Sequence, residues 1–371
     1  MAMNPAVFSV SSVDEIGSHL ESVQQEGMVP TLAFVFSSVV HDLEALKSAF
    51  AESDMAVFGA SSSGEITDDE VHEESIAVML LDIDRDAFRI RLFDGGGKSS
   101  GEVGQEVAEW AKPIFENPAT VLMSAGLHAD GQQIVQGFFD TMDRQVPLFG
   151  CLAGDELTFT ETFVFDASQV FSNGVIALVF NQGVIELQGL AASGWKGIGT
   201  PKTVTKAAGN IVYEIDGEPA LDMYNKYLNI GDDPALAGEY PLILIRDDDS
   251  VALRAVMGVN EDKSIFYAGT VPEGSRVKFS MPPGSEIIDL AVEQMSEFNQ
   301  QVPKSDAIVL FSCKARHIAL GPMVEDEISA IHKLWNVPLV GFFTYGEIGP
   351  VPKGACDFHN HTLVPVLLRE K

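Results

Sequence analysis

One short pattern occurs three times in this chain, and it constrains the fold more than any other feature. FGASSSGEI (58 to 66) and VGFFTYGEI (340 to 348) align Gly59 with Gly341, Ser62 with Thr344, Gly64 with Gly346 and Glu65 with Glu347. PLFGCLAGDE (147 to 156) is a looser third copy. It shares Pro-Leu-x-Gly with PLVG at 338 to 341 and has one residue fewer before Gly154 and Asp155. In each copy an apolar, strand-like run stops at a glycine-bearing turn that carries an acid.

Each copy also follows the same series of elements. The apolar runs LAFVFSS (32 to 38), TVLMSAG (120 to 126) and AIVLFSC (307 to 313) end in serine, and a helical stretch then leads to the glycine-acid strand. In PMVEDEISAIHKLW, Pro322 suits a first helical turn, and Ile328, Ile331, Leu334 and Trp335 recur at helical spacing. Another helical segment precedes each first strand: VDEIGSHLESVQQ, GEVGQEVAEWAKPIF and SEIIDLAVEQMSEF. Such strand, helix, strand crossovers make the two strands parallel and right-handed, with their C-terminal ends on one sheet edge. Residues after Ser312 and after Thr344 are therefore expected to be spatial neighbours, on the edge where open α/β sheets place ligands.

Between the copies the rhythm changes to strands with turn signals. SIAVMLLDI, FRIRLF, ETFVFD, GVIALVF and VIELQGLAAS follow the first two copies, and PLILI, VALRAVMGV, SIFYAG and SRVKFS precede the third. The expected fold class is α/β: repeated αβαβ units with parallel strand pairs plus antiparallel hairpins, in two lobes. Gly, Pro and Asp concentrate in GWKGIGTPKT and NIGDDPALAGEY, which puts the boundary between about 195 and 235.

With 371 residues, 46% of them apolar, the chain can bury two cores. A net charge of -31, from 54 acids against 23 bases, repels phosphate backbones and anionic headgroups, so neither nucleic acid nor membrane is an expected partner. No apolar run is long enough to span a bilayer, and the first residues lack a secretion signal, so a cytoplasmic protein is expected. Cys151, Cys313 and Cys356 are odd in number and form no CxxC pair, which argues against a disulfide framework or a cysteine zinc site.

GWKGIGTPKTVTKAAGNIVYEIDGEPALDMYNKYL (194 to 228), VPEG (271 to 274), SCKARHIALG (312 to 321), PLVGFFTYGEIGP (338 to 350) and FHNHT (358 to 362) together resemble the FIST family, named for F-box and intracellular signal transduction. The resemblance implies a FIST N-terminal domain over 25-215 with two repeat units and a FIST C-terminal domain over 220-367 with one. It also implies a non-enzymatic intracellular sensor of small ligands such as amino acids. Such sensors are often coupled to a histidine kinase or to cyclic-dinucleotide enzymes, and a subset of similar proteins bind haem and sense nitric oxide.

The candidate site gathers at the third copy: Ser312, Cys313 and Arg316 after one strand, Thr344, Tyr345, Gly346 and Glu347 after the next, and His359 and Asn360 beyond. A guanidinium at Arg316 could hold a carboxylate in bidentate fashion and Glu347 could accept from an ammonium, which suits an amino acid. The other reading is that Arg316 and Glu347 pair with each other or that the recurring acid is a turn residue, since no arginine follows the serine in the other copies. His359 and His361, two apart, share a face if they lie on a strand. No firm cofactor is expected; if haem is bound, His359 is the first candidate axial ligand. Cys313 could act as a nucleophile only with a base at hand and a lowered thiol pKa. DGGGKSSG (94 to 101) fails the phosphate-loop pattern because Leu92 stands where glycine is required, and it reads as a connector.

Overall fold

The structure, a computed structural model, describes residues 3–51, 53–127, 129–231, 234–247, 249–281, 284–352 and 354–371. The first unit runs β1 (Asn4–Val10), α1 (Ile16–Gln25), β2 (Leu32–Ser38), α2 (Leu43–Ala51), β3 (Ala56–Ser62), the hairpin β4 (Glu65–Thr67) and β5 (Glu70–His72), and β6 (Ile76–Asp82). The second repeats that order: β7 (Phe88–Asp94), α3 (Ser100–Ala111), β8 (Pro118–Ala125), α4 (Gly131–Thr141), β9 (Leu148–Leu152), the hairpin β10 (Val164–Phe165) and β11 (Val170–Phe171), and β12 (Gly174–Asn181).

The third unit opens with β13 (Ile185–Gly189) and is then interrupted. The insertion comprises β14 (Gly197–Ala208), β15 (Ile211–Ile215), β16 (Glu218–Pro219), α5 (Ala220–Leu228), α6 (Pro234–Gly238), β17 (Leu242–Ile245), β18 (Val251–Arg254), β19 (Val256–Val259), β20 (Ile265–Tyr267) and β21 (Arg276–Ser280). Its strands form one antiparallel sheet closed over a core of its own, with Tyr224, Tyr267 and Phe279 among the buried residues. The third unit resumes with α7 (Ser285–Gln301), β22 (Ala307–Cys313), α8 (Lys314–Leu320), α9 (Val324–Trp335), β23 (Leu339–Thr344), the hairpin β24 (Gly346–Pro350) and β25 (Cys356–His359), and β26 (Leu363–Glu370).

All three predicted crossovers are parallel pairs: β2 with β3, β8 with β9 and β22 with β23. Their first strands are buried on both faces, because helices cover one side and the other sheets cover the other. On β2, Leu32, Phe34 and Phe36 point into a core shared by all three units, while Ala33 and Val35 pack under the helices of the first. On β22, Val309 and Phe311 enter the shared core, while Ile308 and Leu310 meet Ile328, Ile331 and Trp335 of α9.

Each unit passes its hairpin to another unit's sheet. The first sheet reads β1-β6-β2-β3-β10-β11, the second β7-β12-β8-β9-β24-β25 and the third β13-β26-β22-β23-β4-β5. Unit two thus completes sheet one, unit three completes sheet two and unit one completes sheet three. The glycine-acid motif is the point at which the chain leaves one sheet and enters the next, which is why the strand ends there.

The three crossing points touch in a ring. The backbone N–H of Ser63 donates to Phe343 O at 3.0 Å, that of Tyr345 to Leu152 O at 3.0 Å, and that of Gly154 to Ser61 O at 3.1 Å. At the second glycine of two copies the backbone takes positive φ, +108° at Gly64 and +154° at Gly346. A Cβ on Gly346 would stand 2.3 Å from the Phe358 ring, so the crossing has no room for a side chain.

Candidate functional site

At the third crossing the motif carboxylate is enclosed. Glu347 is fully buried and accepts from Thr344 Oγ1 at 2.5 Å and Thr362 Oγ1 at 2.6 Å. Glu65 repeats the arrangement: it accepts from Ser62 Oγ, from Ser75 Oγ at 2.7 Å and from the Ser75 N–H at 3.0 Å. Burial pushes Glu347 up to about 8 and Glu65 up to about 7, against the lowering effect of those hydroxyl bonds. Asp155, in the looser copy, accepts from Tyr345 Oη, from Thr158 Oγ1 at 2.8 Å and from the N–H groups of Phe159, Thr160 and Glu161. In all three places the acid ties the outgoing strand to hydroxyl or amide donors.

Arg316 does not approach Glu347 in hydrogen-bonding distance. It is fully buried on α8, and its Nε donates to Glu327 Oε2 at 2.7 Å, Nη2 to Glu327 Oε1, and Nη1 to the carbonyls of Ser193 and His361. Its guanidinium carbon also stands 5.3 Å from the Trp195 ring. The partner, Glu327, is 1% exposed and went unread in the sequence. Its signal was there: it lies three residues after Val324, on the face that α9 buries.

His359 ends β25, and the chain then turns through His361 at φ 54° before β26, so the two histidines do not share a strand face. Both are fully buried, and burial holds them down to about 4 and about 3. His359 Nε2 lies 3.1 Å from Gly349 O, which it can only approach as a donor. Its Nδ1 has no hydrogen-bond partner among the described residues, but the ring is fully buried and is not among the residues that line the large cleft, so His359 does not present that nitrogen to the cleft. No group of three or more potential metal ligands occurs among the described residues.

What opens at the predicted sheet edge is a cleft of about 1100 Å³. One wall is the third unit's strand ends, with Cys313, Thr344, Tyr345 and Asn360, followed by Lys314, Ala315, Ile318 and Ala319 of α8. The facing wall comes from the inserted sheet and its short helix, including Leu236, Glu239, Ala255, Met257 and Phe266, and the second unit contributes Leu127, Leu157 and Phe159. Of the nine predicted site residues, Cys313, Thr344, Tyr345 and Asn360 line the cleft, while Ser312, Arg316, Gly346, Glu347 and His359 lie behind that wall.

Large apolar side chains face solvent here. Leu127, Leu157, Phe159, Leu236, Met257 and Ile318 are each more than a third exposed and all border the cleft. Tyr345 stacks on Phe159 with ring centroids 5.3 Å apart and donates its hydroxyl to Asp155. Cys313 is 2% exposed, and burial first, then its neighbour Glu347, holds its thiol well above the usual range, the opposite of the lowered pKa that an activated thiol has. Lys314 is half-buried with Nζ over the Phe343 ring and 3.2 Å from His317 Nδ1; burial lowers its pKa.

The floor of the cleft fastens the insertion to the repeat body. Asn360 accepts from the Ala255 N–H at 3.1 Å and donates to Tyr345 O at 3.3 Å. Arg254, fully buried, donates to Phe358 O at 2.8 Å, to Thr270 O at 3.1 Å and to Gln132 Oε1 at 2.6 Å. Arg246 bonds Asp357 Oδ2 at 2.8 Å and shares Gln132 Oε1, while Thr270 donates to Asp130 at the head of α4. Neither arginine was singled out in the sequence, since VALR and LILIR read simply as strand ends.

Family models match residues 31–218 as a FIST N domain and residues 220–350 as a FIST C domain. The chain belongs to the FIST family. FIST domains are associated with signal-transduction sensors. An uncharacterized protein of Mycobacterium tuberculosis is 28% identical over 178 residues, covering 44% of this chain and 46% of its own length. An uncharacterized protein of Mycobacterium bovis is 26% identical over 212 residues, 52% of each chain. The FIST chain described here therefore spans about half the length of the curated relatives it matches. A solved structure, T. maritima PurL complexed with FGAR, aligns over 100% of this chain and 73% of its own with a TM-score of 0.21 and 10% identity. No helix among the described residues is long and apolar enough to cross a membrane.

Proposed function

We propose that this FIST protein is a ligand-responsive sensor whose small-molecule ligand seats in the cleft between the three-unit body and the inserted sheet. The observation that carries this reading is the cleft itself. It lies at the carboxyl ends of a parallel strand pair, is ringed by apolar side chains left open to water, and has one wall on an inserted sheet with a hydrophobic core of its own. Concave sites of this kind are the usual seat of small ligands.

A ligand bridging both walls would bias how the insertion sits on its Arg254, Gln132 and Asn360 attachment. That bias is the signal offered to a partner such as a histidine kinase or a cyclic-dinucleotide enzyme. An amino acid remains within the class of ligands, but Arg316 would not hold it, because its donors are spent on Glu327 and on the carbonyls of Ser193 and His361. A cavity of about 1100 Å³ also admits larger molecules.

The test is a metabolite screen by thermal shift, followed by calorimetry, on the wild type and on Ile318→Asp, a change at an exposed cleft position. A hit should lose affinity at least tenfold in the variant and keep it in Arg316→Lys. Hits indifferent to Ile318→Asp would remove the cleft from the site.

A further inference from the structure

A second cavity, of about 370 Å³, adjoins the cleft: Gly126, Leu127, Ala129 and Thr162 border both. Its chemistry differs from the first. Where the cleft shows Leu157, Phe159, Met257 and Ile318, the smaller cavity sets Lys98, Ser100, Ser124, Thr162 and Asn173, with Gly95 of the Asp94 to Lys98 loop, against Val103, Ile134 and Val175. The DGGGKSSG connector thus helps to wall a compartment richer in polar groups than the cleft beside it.

From this geometry we infer that the ligand is an amphipathic molecule with an uncharged, hydroxyl-bearing head, such as a glycosyl or glyceryl group, in the smaller cavity and a hydrocarbon body in the cleft. The inference rests on the cleft being the ligand site. Donors in the smaller cavity are unspent: Thr162 Oγ1, 2% exposed, accepts from the Gly126 N–H at 2.8 Å, and Ser100 Oγ accepts from the Asp130 N–H at 3.0 Å. Neither hydroxyl donates to an acceptor among the described residues, so each is free to donate to a sugar or glycerol oxygen.

Charge argues against an anionic head, and the two free hydroxyl donors call for an oxygen acceptor that an ammonium head lacks. Lys98, the one cation among the described lining residues, is held by Glu106 at 2.7 Å, and Glu161 adds a carboxylate on the same wall. An anionic head would meet that carboxylate inside a chain of net charge -31. On the other side, the six exposed apolar side chains of the cleft have more surface to offer than a free amino acid can cover, and a hydrocarbon chain would cover it.

The experiment is calorimetry of the full chain with octyl β-glucoside and octyltrimethylammonium below their micelle-forming concentrations and octan-1-ol below its solubility limit. Octyl β-glucoside should bind saturably at one per chain and at least tenfold tighter than the other two. Ile318→Asp should weaken all three, whereas Asn173→Leu and Ser100→Ala, with unchanged circular dichroism, should weaken only the glucoside. Equal binding of octan-1-ol, tighter binding of octyltrimethylammonium, or glucoside binding indifferent to the head variants would overturn the assignment. If no octyl compound binds but another metabolite does so in an Ile318-dependent way, the ligand class fails and the sensor reading stands. If nothing binds in that way, both fail.

Discussion

At the scale of single residues, the buried Arg316–Glu327 pair and the buried acids and histidines of the third unit make different demands on stability. Arg316 and Glu327 are matched fork to carboxylate in full burial, so removing one partner strands the other. Glu327→Ala is expected to cost about 3–5 kcal/mol in urea denaturation, with the Arg316→Met, Glu327→Leu double variant recovering much of it. The motif glutamates act through pH. Because Glu347 is raised to about 8 in the fold and returns to an ordinary 4.5 when unfolded, the native state holds a proton that the unfolded chain releases. Its contribution is fully present below about pH 4.5 and is lost as pH rises through about 8. His359 and His361 act oppositely, contributing above about pH 6.5 and losing that contribution as pH falls through about 4 and about 3. Above about pH 7.5 the histidines are therefore silent, and between pH 7.5 and 8.5 the urea midpoint should fall with pH in the wild type and fall less in Glu347→Gln. Cys313 should stay unlabelled by a maleimide until the protein unfolds, as peptide mapping would show, and haem added to the protein should give a spectrum unchanged by His359→Gln.

At the scale of elements, the tight point is the crossing between sheets. Gly346→Ala would drive a Cβ into Phe358, and overpacking of this kind costs about 1–3 kcal/mol; a smaller loss in thermal denaturation would mean that the hairpin shifts to make room. The strands, their parallel pairing and the sheet edge that forms the cleft were legible because apolar runs, helical spacing and the repeated glycine-acid turn are local signals. The exchange of hairpins was not, since nothing in GEIT or GEIGP says which sheet the strand will join. Of the nine candidate residues, four were placed at the cleft. Cys313, Thr344, Tyr345 and Asn360 reach the cleft because strand ends are fixed by register, whereas Arg316 is carried off by α8, which begins directly after Cys313 and turns its side chain toward α9. The walls contributed by Leu236, Met257 and Leu127 come from elements far apart in sequence, whose meeting depends on how the insertion docks.

At the scale of the whole molecule, three sheets share one core and each borrows strands from another unit, so no unit can open without breaking the sheets of the others. The three units are expected to unfold in one calorimetric transition, while the inserted sheet, with its separate core, should exchange its amides through openings of lower free energy. Hydrogen exchange read by mass spectrometry would separate the two, and equal protection of β17 and β22 would show that they are one cooperative body. The hairpin exchange has a further consequence. A lone unit would carry a hairpin with no sheet to enter and a sheet edge with no hairpin to fill it, and three identical units satisfy every such demand when they close head to tail. The architecture has the connectivity of a three-membered ring written into one chain. One third of that ring carries the insertion and one wall of the cleft, while the other two close it.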